Sequence, residues 1–438
     1  MSKQNDVNEV FKPSVLAALS SVPFIMVLGN SLLIPVLPAI KNALHLTQFK
    51  VSLLITLFSI PAGLIIPLAG FLSDRYGRKQ VIIPSLVLYG LGGVAAGLTA
   101  IFIQQVTYPL ILGGRILQGI GAAGTAPIAM ALCGDLFTGK WRSQALGIIE
   151  AANGFGKVVS PVLGALLGLI AWYAAFLFFP LAVIPAAAGM WLLVREPRTT
   201  RTTQNIGQYL QSFAGVFEKR SVMLLTSFFG GMMALLLLFG VLFFLSEHLE
   251  TVFHYNGIRK GAALAIPVLF MCATSYATGT LIKKKARLMK WLVVAGLALI
   301  AASLAALGIR QQTFFFFVAI SLAGVGTGLT LPCLNTIITS STASARRGLV
   351  TSLYGSVRFF GVAFGPPLFG LLMGKGTPLM FWSGAALAAG ASLLAAFFIR
   401  SKDITIGSEK AQAERLGQDT TSETRPFLGL SPARKPIK

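Results

Sequence analysis

Twelve runs of about twenty mostly apolar residues, separated by short polar breaks, leave few folds open to this chain. They cover approximately 14–38, 49–72, 81–103, 109–134, 143–168, 173–194, 222–245, 259–282, 289–309, 313–338, 348–373 and 379–399. About 20 apolar residues make a helix long enough to cross the hydrocarbon of a bilayer. Lipid offers a backbone no hydrogen bonds, so such runs must be helical, and the alternating strands of about ten residues that build a barrel do not occur. Composition agrees: 55% of residues are hydrophobic and 11% charged, against roughly 25% charged in a soluble domain. An all-α polytopic membrane protein is expected. Even "TFFFFV", Thr313 to Val318, is assigned to helix by the length of its run.

The formal net charge of +22 points to membrane sidedness rather than to nucleic acid, because the basic residues sort by loop. An amino terminus in the cytoplasm puts Arg75, Arg78, Lys79, Lys140, Arg142, Arg195, Arg198, Arg201, Lys219, Arg220, Lys283, Lys284, Lys285, Arg287, Arg346 and Arg347 inside. Outside remain a few, including Lys41, Lys50, Arg259, Lys260, Arg310 and Lys375. Both termini are therefore expected in the cytoplasm of a cell whose plasma or inner membrane holds the protein. The first run is too long for a removable signal peptide and is retained as a span. Cys133, Cys272 and Cys333 have no metal or disulfide spacing and read as packing residues. His45, His248 and His254 are too scattered to nominate a site.

The longest polar interruption, from Arg195 to Arg220, divides the spans six and six. Ile206, Leu210, Phe213 and Phe217 recur there at helical spacing, as in an amphipathic helix lying on a membrane surface. The organisation expected is a short segment 1–13, a bundle 14–194, a linker 195–221, a bundle 222–400 and a tail 401–438 without apolar periodicity, which reads as disordered. A shift of about 205 positions lays Gly119, Gly121 and Pro127 on Gly324, Gly326 and Pro332, and Gly156 and Pro161 on Gly361 and Pro366. Repeated halves are a transporter signature, with the substrate held near the midplane between them. The charges do not repeat: Arg115 meets Ile320, Glu150 meets Gly355, Asn153 meets Arg358 and Lys157 meets Val362. A charge at the bilayer centre costs at least about 2.5 to 3.5 kcal/mol, so unrepeated buried charges suggest function.

Between spans two and three stands "GFLSDRYGRK". With twelve spans around it, the pattern Gly70, Asp74, Arg75, Gly77, Arg78, Lys79 resembles the loop motif of the major facilitator superfamily. That family's fold is two six-helix bundles related by a pseudo-twofold axis. "RILQGIGAAG", Arg115 to Gly124, and the series Gly147, Gly156, Ser160, Pro161, Gly164 resemble the helix-four and helix-five motifs of its twelve-helix drug:proton antiporter branch. Ser160 and Ala165 stand where the latter usually has glycine, and Asn30 stands where relatives often have an acid. "TLIKKKAR" after Gly279 resembles a decayed second loop motif, with Lys283 in the place of Asp74. The resemblance implies a cytoplasmic gate in which Asp74 meets the start of helix eleven near Gly348 and Arg78 pairs with Asp135.

Glu150, Asn153, Lys157 and Pro161 share one face of span five. Glu150 is the leading proton carrier, and the resemblance makes Arg115 its modulator. Glu247 and Glu250 are runners-up, expected as solvated loop ends. Lys157 and Arg358, with Asn30, Gln118 and Asn153, are expected to line a cavity for an amphiphile, anionic or zwitterionic in preference to a lipophilic cation. Efflux by alternating access, driven by the proton motive force without a cofactor or metal, is the expected activity. Export or flipping of an anionic metabolite, metallophore or lipid is the alternative, and a membrane-embedded enzyme the rival class. No nucleotide-binding loop or hydrolase elbow appears. Substrate, protons and membrane lipids are the expected partners of a monomer.

Overall fold

Proline and glycine decide where the helices bend. The computed structural model describes residues 13–103, 107–137, 139–196, 207, 221–282, 285–310, 312–341, 347–401 and 404. Twelve helices long and apolar enough to span a membrane run through them. In chain order they are α1 (Pro13–Ala43), α2 (Gln48–Tyr76), α3 (Arg78–Phe102), α4 (Thr107–Leu136), α5 (Gln144–Ile170), α6 (Ala174–Leu193), α7 (Val222–Thr251), α8 (Gly257–Leu281), α9 (Ala286–Ile309), α10 (Thr313–Ser340), α11 (Gly348–Met373) and α12 (Thr377–Phe398). Apart from Gly207, the linker helix expected over Ile206 to Phe217 falls outside the described residues, as do the tail beyond 404 and Lys283.

Two spans are broken. α1 is helical over Pro13–Ser31, passes through a 3-10 turn at Ile34–Val36 and resumes over Leu37–Ala43. Pro35 and Pro38 bring no N–H to a continuous ladder there. α4 stops at Ala123 and restarts at Ala126, with Pro127 in the first turn, where a missing N–H costs nothing. Its repeat partner α10 carries Pro332 inside one unbroken helix. α7 continues past residue 245 to Thr251, so Glu247 and Glu250 lie on helix and not in a loop.

Packing repeats more faithfully than helix continuity. In the first half α1 lies on α5, α2 on α4, and α3 on α4 and α6; in the second, α7 lies on α11, α8 on α10, and α9 on α10 and α12. The repeated glycines explain this. A Cβ on Gly119 would run into the carbonyl of Phe58 on α2, and one on Gly324 into that of Pro267 on α8. One on Gly121 would strike the backbone of Tyr89 and Ser85 on α3, and one on Gly326 that of Gly296 on α9. Small residues of this kind let backbones touch where lipid gives helices no hydrophobic reason to associate.

The halves meet along two equivalent seams, α2 with α11 and α5 with α8. Call the end that carries residues 74–79 the loop end and the opposite one the far end. From the far end inward, Gln48 Nε2 lies 3.9 Å from Met373 Sδ, Thr56 Oγ1 donates to the Ala363 carbonyl at 2.7 Å, and Gly63 packs on Phe360. On the other seam Gly257 sits under Leu169, Gly261 against Pro161 and Val162, and Cys272 Sγ donates to the Gly154 carbonyl at 3.6 Å. Past these points, a Cβ on Gly147, Gly279 or Gly348 would meet nothing within 4 Å among the described residues. The far end is also tied by a Lys41–Glu247 ion pair and by Ser246 Oγ donating to the Ile34 carbonyl at 2.7 Å. The halves are thus closed together at the far end and part towards the loop end.

Candidate transport site

The loop that turns α2 into α3 is held by charge. Gly77 adopts φ 120°, a conformation costly for any residue with a Cβ, and so reverses the chain in one step. Asp74 Oδ1 lies 2.5 Å from Arg78 Nη1, and Arg78 Nε lies 3.3 Å from Asp135 Oδ2 at the end of α4. Arg78 is thus paired with Asp135, and Asp74 pairs with Arg78 and with no group of α11 among the described residues. Asp74 is 43% exposed and pairs within its own half, and the halves have separated at this end. Arg75 is exposed over the Tyr76 ring, and Gly70 is part-buried, its carbonyl accepting from Ser73 Oγ at 2.7 Å.

Glu196 was not singled out by its sequence, yet it completes the loop. Its carboxylate accepts the backbone N–H groups of Arg78 and Lys79 at the start of α3, where helix geometry leaves donors free and favours an anion. Lys79 Nζ in turn donates to the carbonyls of Trp191 and Val194, each at 2.7 Å. The motif is therefore strapped to the end of α6. An acid among bases in "VREPR" is the only local signal; its partners lie far away in sequence.

Arg115, Asn30 and Gln118 form a buried knot. Arg115 and Gln118 are 0% and Asn30 5% exposed. The Arg115 fork donates from Nε to the Leu54 carbonyl at 2.8 Å, from Nη1 to Gln118 Oε1 at 2.7 Å and from Nη2 to Asn30 Oδ1 at 2.7 Å. Its guanidinium lies 4.5 Å from the Phe58 ring centroid, and Asn30 Nδ2 donates to Ser59 Oγ at 2.8 Å. The knot ties α1, α2 and α4 through a cation whose described partners include no carboxylate. Asn30 and Gln118 accordingly face Arg115 and not an open cavity wall in this conformation, and Gln118 Nε2 has no partner among the described residues.

The remaining charges gather at the α5–α8 seam where it opens. Glu150 is exposed, Asn153 and Lys157 half-buried, and the same face of α5 meets α8 at Gly154 and Pro161. Glu150 and Cys272, and Arg358 from α11, all lie within electrostatic reach of Lys157. Arg358 stands 5.5 Å over the Tyr354 ring, with its Nε buried and without a partner among the described residues. Of the helix-five motif, Gly156 packs on Phe24 of α1 and Gly164 on Leu32, while Ser160 Oγ donates to the Gly156 carbonyl just before Pro161. A Cβ on Gly147 would meet nothing within 4 Å among the described residues. The three cysteines are free: Cys133 and Cys333 are buried and Cys272 half-buried.

At the far end, Glu247 and Glu250 prove to be paired instead of solvated. Glu247 binds Lys41, and Glu250 Oε2 lies 2.6 Å from Lys260 Nζ. Among the described residues no cluster of His, Cys, Asp or Glu could hold a metal ion.

Comparison with known proteins agrees with this geometry. The profile of the Major Facilitator Superfamily matches residues 19–358 and again 286–437. The chain is 41% identical to the bacillibactin exporter of Bacillus subtilis (strain 168) over 402 residues, 91% of this chain and 98% of that protein. It is 29% identical to the multidrug efflux protein YfmO of the same organism, over 85% of this chain and 90% of the relative. In fold it resembles a D-xylose–proton symporter, with a TM-score of 0.72 at 14% identity, covering 89% of this chain and 98% of the other. The human organic anion transporter MFSD10 gives 0.68 at 18%, covering 87% and 99%. These proteins are transporters, not enzymes, and the family needs no cofactor. Twelve spans, paired halves and these matches lead to one conclusion: the chain belongs to the Major Facilitator Superfamily and is a multi-pass membrane transporter of a small molecule.

Proposed function

We propose that the protein exports an anionic or zwitterionic amphiphile in exchange for protons, by alternating exposure of a site between the two halves, with the loop end in the cytoplasm. The observation that carries this reading is the placement of Lys157 on α5 and Arg358 on α11, spans of opposite halves, with Arg358 Nε buried and without a partner among the described residues and Glu150 on the same helix as Lys157. Two cations near mid-membrane are costly alone and become useful when an anionic substrate neutralises them. The chain's likeness to a bacillibactin exporter makes bacillibactin the first substrate to test.

In this reading Glu150 carries the coupling proton. When Glu150 is ionised it partners Lys157, and when it is protonated it frees Lys157 for substrate. Arg115 acts at a distance, by fixing the relative positions of α1, α2 and α4. The Asp74 loop latches the cytoplasmic side in the opposite conformation, when α11 returns to it. Asn30, Gln118 and Asn153 contribute to the site as the knot and the α5 face are uncovered by that motion.

The test is proton movement in vesicles with the loop end outward. Bacillibactin added to vesicles holding an acid interior should be accumulated while the gradient decays. Glu150→Gln should abolish gradient-driven accumulation and spare downhill exchange. Accumulation by Glu150→Gln that still follows the pH gradient would remove the carboxylate from its role.

A further inference from the structure

The far end holds a balanced set of four charges that the transport site does not use. Lys41 comes from α1 in the first half, and Glu247, Glu250 and Lys260 from α7 and α8 in the second. Glu247 is 12% exposed and bound to Lys41, which is 23% exposed. Lys260 is 4% exposed and bound to Glu250, which is 35% exposed. Lys260 also lies within electrostatic reach of Glu247. Glu247 and Glu250, three residues apart on one face of α7, thus hold two cations side by side, Lys41 from the other half and Lys260 from their own.

A transporter closed at its far end has to break Lys41–Glu247 to open there. Removing one partner from a shielded pair strands a charge, and that is costly unless another partner stands by. Lys260 is such a partner. It rides on the same half as Glu247, remains beside it when Lys41 withdraws, and can release the more exposed Glu250 to water.

We propose that Lys41 and Glu247 are the far-end lock between the halves and that Lys260 receives Glu247 when the lock opens. The hand-over keeps Glu247 ionised and paired in both conformations, which lowers the cost of opening. The halves thus separate without stranding Glu247, while Lys41 and the more exposed Glu250 pass to water. This inference rests on alternating exposure alone and not on the coupling proton or the substrate.

The experiment reads the opening itself. Spin labels at the exposed positions Asn42→Cys and Asn256→Cys, in a chain whose native cysteines are replaced by serine, report the far-end distance in nanodiscs without substrate or gradient. Lys41→Gln should raise the population of the long distance about two- to fivefold, the range set by ion pairs of partial exposure. Glu250→Gln should raise it too, by freeing Lys260 for Glu247. Lys260→Gln should lower it, since Glu247 then has only Lys41. A larger open population in Lys260→Gln, or an unchanged or smaller one in Glu250→Gln, would overturn the hand-over. Should Lys260→Gln fail to insert, Glu250→Gln decides, because it keeps the buried cation. An unchanged population in Lys41→Gln would overturn the lock, whatever a transport assay shows.

Discussion

α4 and α10 occupy equivalent places in the two halves and are filled with opposite chemistry. Their glycines do the same work, each pair touching the backbones of the two neighbouring helices. One turn before them, Arg115 sits among Asn30, Gln118 and the Leu54 carbonyl, whereas Ile320 is buried and lines a small apolar void with Leu237, Val241 and Pro267 of α7 and α8. The same socket folds around a cation or around hydrocarbon. The fold therefore does not need the charge, and its cost is borne for something else. A buried polar knot, fully shaped by direction-specific hydrogen bonds, holds three helices in one arrangement where aliphatic packing would accept several.

Four variants can break or sharpen that contrast, in descending order of effect. Ile320→Arg places a cation where no acceptor waits, at a cost of about 3 kcal/mol or more, and should abolish a monodisperse peak in fluorescence-detected size exclusion. The triple variant Asn30→Leu, Arg115→Leu, Gln118→Leu converts the α4 socket to the α10 kind. It should melt at or above the native temperature, since replacing a buried polar cluster by hydrocarbon is often neutral or stabilising, and should transport nothing. Transport by that variant would reduce the knot to a packing detail. Arg115→Lys keeps the charge but loses the fork that reaches three acceptors at once. Its vesicle uptake should fall about tenfold, equivalent to roughly 1.4 kcal/mol. Thr56→Val removes the α2–α11 hydrogen bond to Ala363, worth about 1 kcal/mol. It should shift the conformational balance about fivefold towards far-end opening, as read by spin-label distances, with little change in melting temperature.

The contrast also marks what could be read from the chain alone. Span number, the two halves and the glycine contacts are legible, because run length and a single shift encode them. So is the placement of Glu150 and Lys157 on one helix, α5. The far-end pairs were not: Glu247 and Glu250 look like loop residues until α7 is seen to continue, and their lysines lie on other helices. Glu196 is hidden for the same reason, since its partners are the free N–H groups of a helix more than a hundred residues earlier. The break in α4 beside an unbroken α10 is equally hidden, as Pro127 and Pro332 read alike. Asp74 illustrates a further limit. Its sequence motif implies a contact with α11, whereas the structure pairs Asp74 with Arg78 in its own half.

Everything depends on the halves rocking about the two seams, so that one end opens as the other shuts. Two pairs of spin labels along the α5–α8 seam measure this directly: Gly147→Cys with Gly279→Cys at the loop end, where each glycine faces open space, and Leu169→Cys with Ile258→Cys at the far end, where both side chains are exposed. Under substrate and a proton gradient the first distance should shorten in the same fraction of molecules in which the second lengthens. Two distances that rise and fall together, or neither changing while transport proceeds, would contradict the account.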